Sequence, residues 1–499
     1  MDSNFLEYNA LDAACTLEIE QEIWPGLADG FQPAYTMTED LFAPLIFMMT
    51  RGILVNHDLM NETRNQITQT AKEKQIELNE LCGRELNVNS PKDCQRYFYI
   101  ELGHTPYYNN GAVTVDDKAL QRLARTTAKR PGLRQAKLVQ DIRGLQKLLG
   151  TYLNIEFDAD SRMRCSYNPR GTKFGRLSSS QTIFGTGTNT QNLPQEFKKF
   201  LVADPGCVLW EIDKRQAEWV VVAYLSGDAN MISVVESGQD AHIHTASLMF
   251  KQAKDVIAKE SKIVGGNNDA DLIKQLREEA GIDVSIPRTM SMRQCGKKSN
   301  HGLNYDEGPN TFALINEMEQ NEAKAVVELY HHIYPGIRIW YEATKRQLQK
   351  DRSLTNCFGR KVRFMDSWGP DLWKAAYSMI PQSSVVDSLN LGMAKTYADT
   401  WLTRDMNIDL LAQVHDSILM QVPIENLRYM SVMMEKVYDY TSPELKYNNR
   451  TFKIATDSKL GLNWGGHHKE HNPTGMQEMT LDNLDAILGD LNARTNGLA

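Results

Sequence analysis

The chain has 499 residues, with 55 Lys and Arg against 63 Asp and Glu, and the resulting formal charge of −8 excludes a uniformly basic coat. At roughly 100 to 200 residues per domain this length allows about three units, and 41% hydrophobic residues supply enough apolar material for a core. Seven scattered cysteines without a CxxC pair, and no apolar run of about 18 residues, argue against a disulfide framework, a zinc site and a membrane span.

With no signal-peptide pattern at the start, a soluble, cytoplasmic protein in a reducing compartment is expected. Along the chain, Asn89-Ser90-Pro91-Lys92 predicts a helix start, with Ser90 as N-cap and Pro91 at the first position, where no N–H is needed. From Lys118 to Lys147 nine basic residues face a single acid, Asp141, on a helical stretch. Such a face tracks phosphates or simply meets solvent. Cys207 to Asp213 predicts a strand that ends on a carboxylate, followed by a helix over 217–225. Residues 253–345 read as charged and helical, with a break at Gly265-Gly266-Asn267-Asn268 that predicts a surface insertion. Leu410 to Met420 predicts two strands joined by a hairpin tip at His415-Asp416-Ser417. Beyond Trp464 the chain turns polar, and Leu481, Leu484, Leu488 and Leu491 predict a short amphipathic helix that docks on the body or on a partner.

Two carboxylates at strand ends, Asp213 and Asp416, suit one particular chemistry. Transfer of a nucleotide to a hydroxyl uses two divalent cations about 3.5 to 4 Å apart, and magnesium takes only one or two carboxylates plus substrate phosphates. Singly, an Asp at a strand end is more often a turn or cap residue, so a third element is needed. Arg293, Lys297, His301 and Tyr305 recur at four-residue intervals and share one helical face. Arg293 and Lys297 could clamp a triphosphate while the rings pack on sugar and base; the alternative is an ordinary basic helix with a buried Tyr. Gly296 and Gly302 each cost about 1 kcal/mol inside a helix, and close approach by a ligand is the expected reason.

Taken together and in this order, the segments resemble the family A DNA polymerases, the bacterial polymerase I and phage replicase group. Gly175-Arg176-Leu177-Ser178-Ser179 and Gln191-Asn192-Leu193-Pro194 are similar to the primer-template motif, with extra residues between the halves. Asp213-Lys-Arg-Gln216-Ala-Glu218 resembles motif A, Leu225-Ser226-Gly227-Asp228 resembles the family's L-S-G-D, and Asp240-Ala-His242 resembles a D-x-H step. Arg293, Lys297 and Tyr305 match R-x3-K-x7-Y, and Val414-His415-Asp416 matches motif C. Thr355 to Arg363, Lys374, Ser378, Gln382 and Leu462-Asn463-Trp464 extend the likeness, as do Leu86 to Lys92 and Arg143 to Tyr152 in the thumb.

The resemblance implies an α+β right-hand fold with an antiparallel palm sheet, helical fingers and a helical thumb. The expected bounds are an exonuclease remnant at 1–30, a palm-edge helix at 31–55 and a thumb at 56–150. Palm segments come at 151–217 and 346–466, fingers at 218–345 and a C-terminal extension at 467–499. It implies Asp213 and Asp416 as ligands of two Mg²⁺, or Mn²⁺ in their place, with Lys297 as a further catalytic group. Arg293, Lys297, His301, Tyr305, His242, Glu218 and Gln216 would bind the dNTP. Arg176, Gln191, Asn192, Gln382, Lys374, His415, Arg143 and Lys147 would bind primer-template DNA.

Some residues depart from the family pattern. Tyr8-Asn-Ala-Leu-Asp12 resembles only the last exonuclease motif, so no proofreading is expected in this chain. A separate exonuclease or a processivity factor would be a partner, in phage-type replication inside a bacterial host. His301 stands where the family has Phe or Tyr against the sugar, and it either alters selectivity or only preserves packing. Ser417 stands where a third carboxylate is usual, which is therefore dispensable or replaced. Single-subunit RNA polymerases share the palm and the helical stripe, but Glu218, similar to the family's steric gate, favours DNA. A non-catalytic primer-template-binding subunit is a further alternative.

Overall fold

The computed structural model describes residues 3–27, 30–109, 111–124, 131–284 and 287–495. The elements that position the site are helices α1 (His57–Cys82), α2 (Arg134–Lys147), α3 (Ala217–Ser226), α4 (Ala241–Phe250), α5 (Lys254–Val264), α6 (Ala270–Glu279), α7 (Met292–Leu303), α8 (Pro370–Ala398) and α9 (Leu484–Thr495). With them go strands β1 (Cys207–Lys214), β2 (Asp409–Val414), β3 (Ser417–Pro423), β4 (Thr456–Gly461) and β5 (Gln477–Met479). These strands form one antiparallel sheet in the order β2-β3-β1-β4-β5.

Strand β1 alternates its side chains between two cores, as period 2 requires. Val208, Trp210 and Ile212 pack on one side with Leu389 and Met393 of α8 and with Leu484 and Ile487 of α9. Leu209 packs on the other with Leu411, Leu419, Phe197, Phe200 and Trp464. Glu211 and Asp213 share that second face by the same period. The C-terminal helix thus docks on the palm; Leu481 precedes it and is exposed, and the side chain of Leu491 lies outside the described residues.

Around residues 57–152 the helices build a core of their own, with Leu78, Phe98, Leu120, Leu138 and Ile142 buried together. Helix α1 is N-capped by Asn56, whose Oδ1 accepts from Leu59 N at 3.0 Å, and ends on Gly83 in the left-handed conformation. Ser90 caps the helix at Pro91 as expected, accepting from Asp93 N at 3.2 Å.

The Gly265 break separates α5 from α6, yet this insertion is not a loose surface excursion. Ile257 of α5 is buried with Ala246 of α4 and Met292 of α7. Glu260 and Arg277 form a buried ion pair, Arg277 Nε donating to Glu260 Oε1 at 2.9 Å, and Glu260 Oε2 accepts from Met292 N at 2.9 Å, at the start of α7. A buried charge is tolerated only when paired and hydrogen-bonded, and this pair joins the insertion to the head of the cationic helix.

Candidate active site

Asp213 lies near the C-terminal end of β1, directly opposite Ser417 on β3 and Asp457 on β4. The β2–β3 turn is His415-Asp416, with His415 at φ +51, and Lys214 N donates to Asp416 O at 3.0 Å. Strands in a sheet are about 4.8 Å apart, so two acids remote in sequence become neighbours. Burial, opposed by Lys459 and reinforced by Glu211 and Asp416, raises Asp213 to about 6. Burial and then Glu218 raise Asp416 as well, with Arg176, His415 and Lys297 opposing. Asp416 Oδ1 is buried and has no hydrogen-bond donor among the described residues. A bare carboxylate oxygen beside a second acid is costly unless a cation answers it, so the pair fits divalent metal. Among the described residues no cluster of three or more His, Cys, Asp or Glu is arranged to hold a metal ion, so further ligands would have to come from substrate and water.

Beside Ser417, the neighbouring strand β1 carries a further carboxylate. Glu211 lies two residues before Asp213 on the same face; its Oε1 accepts from Trp464 Nε1 at 3.0 Å and is 3.5 Å from Ser417 Oγ, while Oε2 is 3.8 Å from Lys459 Nζ. A buried carboxylate of β1 thus lies beside Ser417 and is held by Trp464. Sequence reasoning missed it because cross-strand register is needed to see the pairing.

Glu218, on the first turn of α3, gathers several predicted residues. Its Oε1 accepts from Arg176 Nη2 at 2.6 Å, its Oε2 accepts from Tyr305 OH at 2.6 Å, and His301 Nδ1 is 3.7 Å from Oε2. His301 is exposed and meets Tyr305 edge-on at 5.5 Å. Burial, then Glu218, pushes the Tyr305 hydroxyl well above its usual range. Lys297 is exposed on the same helix and acts electrostatically on both Asp213 and Asp416.

Arg293 is bound to Asp240, with Nε and Nη2 at 2.9 and 2.7 Å from Oδ2, while Asp240 Oδ1 caps α4 by accepting from His242 N and Ile243 N. Gln216 adds to this joint, its Oε1 accepting from Ala241 N at 2.8 Å. Gly296 has a different cause from the expected one: a Cβ there would sit 2.2 Å from His242 O, so the crossing helix excludes a side chain. A Cβ on Gly302 would sit 2.0 Å from Glu307 Oε2, the far end of a flexible side chain.

Gln191 is wired to the acidic turn: its Nε2 donates to Gln413 Oε1 at 3.1 Å, and Gln413 Nε2 donates to His415 O at 2.7 Å. Asn192 O accepts from Tyr152 OH at 3.2 Å. The extra residues between the halves of the segment make a tight turn, Thr182 N donating to Thr186 O at 2.9 Å, with Ile183 and Phe184 exposed. Lys374 and Gln382 lie on α8, two helical repeats apart, and α8 reaches the segment through Asn390 Nδ2 to Gly175 O at 3.4 Å.

Among the described residues, part of the basic stretch is paired within this helical domain. Arg143 donates to Val88 O at 2.7 Å and Val115 O at 2.8 Å, so its guanidinium braces this domain instead of facing outward. Arg134 pairs with Glu77 and Lys137 with Asp141, while Lys118 and Lys147 are exposed. Arg125, Lys129 and Arg130 lie outside the described residues.

An antiparallel sheet with two acids at adjacent strand ends, flanked by a cationic helix and a separate helical domain, defines a right-hand polymerase fold. The family model described as DNA polymerase family A matches residues 57–264 and 267–466, pausing only at the Gly265-Gly266 break. The chain belongs to DNA polymerase family A. It is 25% identical over 461 residues to the thermostable DNA polymerase I of Thermus filiformis, covering 88% of this chain and 50% of that one. It is also 25% identical over 488 residues to DNA polymerase I of Rhizobium leguminosarum, covering 92% and 43%. The chain thus spans about half the length of the curated relatives it matches. Among solved structures it resembles in fold the polymerase domain of Pol1 from M. smegmatis, a complex with DNA primer-template and dNTP, at TM-score 0.72 and 21% identity over 89% of this chain and 73% of that one. No helix among the described residues is long and apolar enough to cross a membrane.

Proposed function

We propose that this chain is a template-directed DNA polymerase that adds dNTPs to a primer 3′-hydroxyl and releases pyrophosphate. The observation that carries the reading is the unanswered Asp416 Oδ1 on the turn beside Asp213, next to a helix rich in cations. Asp213 and Asp416 would hold two magnesium ions. Such ions, when bound, lower the pKa of the attacking hydroxyl and balance the charge of the leaving pyrophosphate.

The chain's own residues do the rest. Lys297 offers its ammonium to the triphosphate as a point charge, and Arg293 joins it by exchanging Asp240 for phosphate oxygens. His242 adds a hydrogen bond. Glu218, fixed by Arg176 and Tyr305, fills the space a ribose 2′-hydroxyl would need, and His301 and Tyr305 pack on sugar and base. Arg176, Gln191, Asn192, Gln382 and Lys374 contact the duplex, and His415 links these contacts to the acidic turn. The primer-template and dNTP in the M. smegmatis structure support the same ligands here.

Primer extension with purified protein, Mg²⁺ and either dNTPs or rNTPs tests the reading. Wild type should extend with dNTPs and reject rNTPs, and Glu218→Ala should admit rNTPs. Equal use of both by wild type would favour an RNA polymerase-like enzyme, and no extension with either would favour a binding subunit.

A further inference from the structure

Helices α4 and α7 cross at Gly296, and one turn along α7 the same crossing presses Asn300, 1% exposed, against the His242 ring. Asn300 Nδ2 is 3.1 Å from Ala241 O and 3.0 Å from His242 Nδ1. A carbonyl only accepts, so the atom facing Ala241 O must be the amide nitrogen. The other end agrees: Asn300 Oδ1 accepts from Thr245 Oγ1 at 2.7 Å. The second amide hydrogen therefore points at His242 Nδ1, which must accept. A proton on Nδ1 would set N–H against N–H in a buried site, excluding both the Nδ1 tautomer and the imidazolium.

We propose that Asn300 is a positioning residue that holds His242 as the neutral tautomer protonated at Nε2, so that the ring offers a triphosphate oxygen a hydrogen bond and no charge. This rests on the reading of α7 and α4 as the nucleotide-binding surface. The groups around the ring support it. Burial, opposed by Asp240 and reinforced by Arg293 and Lys297, lowers His242 to about 4, so it stays neutral through the working pH range. Arg293 and Lys297 already supply two positive charges, and a donor locked at Nε2 adds direction without adding their repulsion.

The test is long-range ¹H–¹⁵N correlation of the ¹⁵N-histidine-labelled full chain between pH 5.5 and 8, with His242 assigned by loss of its signals in His242→Gln. Wild type should show His242 protonated at Nε2 only and without titration. A proton on Nδ1, or titration within that window, overturns the proposal. In Asn300→Asp the carboxylate should draw a proton to Nδ1 and bring His242 titration into the window; an unchanged ring overturns it too. In Asn300→Ala that retains the wild-type circular dichroism, KM for dNTP should rise roughly fivefold to tenfold with kcat little changed; an unchanged KM contradicts the proposal. If wild type shows the stated tautomer but incorporates no nucleotide, the polymerase reading fails and the assignment of Asn300 stands.

Discussion

The sheet that carries Asp213 and Asp416 and the helical layer around α3, α4 and α7 hold their carboxylates in opposite states. On the sheet, Asp213 and Asp416 are half-buried neighbours, and among the described residues Asp416 Oδ1 has no donor. On the fingers, Asp240 is bound by Arg293, and Glu218 by Arg176 and Tyr305. The sheet thus carries an electrostatic cost that added cations would relieve, whereas Asp240 and Glu218 are already paired, Glu218 with an arginine from outside its own helical layer; under the proposed function a nucleotide would have to displace such partners. Under the proposed function, binding in the first region would be an addition, and in the second an exchange of partners in which a triphosphate competes with a protein carboxylate for the same guanidinium.

The largest effect expected from breaking this contrast is on the palm. Asp213→Ala or Asp416→Ala should lower single-nucleotide incorporation by roughly a thousandfold or more in rapid-quench kinetics, while the Kd for primer-template measured by fluorescence anisotropy stays within about threefold of wild type, since the lost groups are anions. On the fingers, Arg293→Ala should raise KM for dNTP by about tenfold to a hundredfold. Asp240→Asn keeps the helix cap but gives up the charge that competes for Arg293, and should lower KM by roughly two- to fivefold. A rise in KM for Asp240→Asn would mean that this acid orients Arg293 rather than competing for it.

A smaller effect appears in stability. Asp213 titrates at about 6 in the folded chain against an ordinary value of 3.8, burial being the main cause. The folded state holds this proton more tightly than the unfolded one, so the group's favourable contribution is complete below 3.8 and is lost as pH rises through 6. Asp213→Asn should therefore stabilise the metal-free protein at pH 7.5, on the order of 2 kcal/mol by denaturant unfolding, and do little at pH 4. Smallest is Trp464→Phe, which removes the Nε1 donor to Glu211 Oε1 and should cost about 1 to 2 kcal/mol.

Legibility in the sequence divides along the same line. Strand β1 and the hairpin at His415-Asp416 are visible there because short apolar runs and a polar tip are local signals, and the α7 stripe because a four-residue period is one. The rivals for each cation are not visible. Asp240 lies 53 positions from Arg293, and nothing local marks the pair. Gln413 as the bridge from Gln191 to His415 depends on a contact across 222 positions, and Glu211 as the acid beside Ser417 on one across 206. The resemblance assigns Arg143 to a DNA grip, because sequence cannot report that two backbone carbonyls of its own domain face that guanidinium. The cost of Gly296 to its helix is legible from residue type, but the neighbour that requires it, His242 O, becomes evident only when α4 crosses α7.

The number of cations bound decides whether Asp213 and Asp416 form the metal site. In a complex with primer-template ending in a 2′,3′-dideoxynucleotide and the next dNTP, where chemistry is blocked, Mn²⁺ titration followed by electron paramagnetic resonance should find two tightly held ions in wild type. Asp213→Asn and Asp416→Asn should each lose at least one while DNA remains bound. Retention of both ions in both variants would contradict the assignment of these two acids as the metal site.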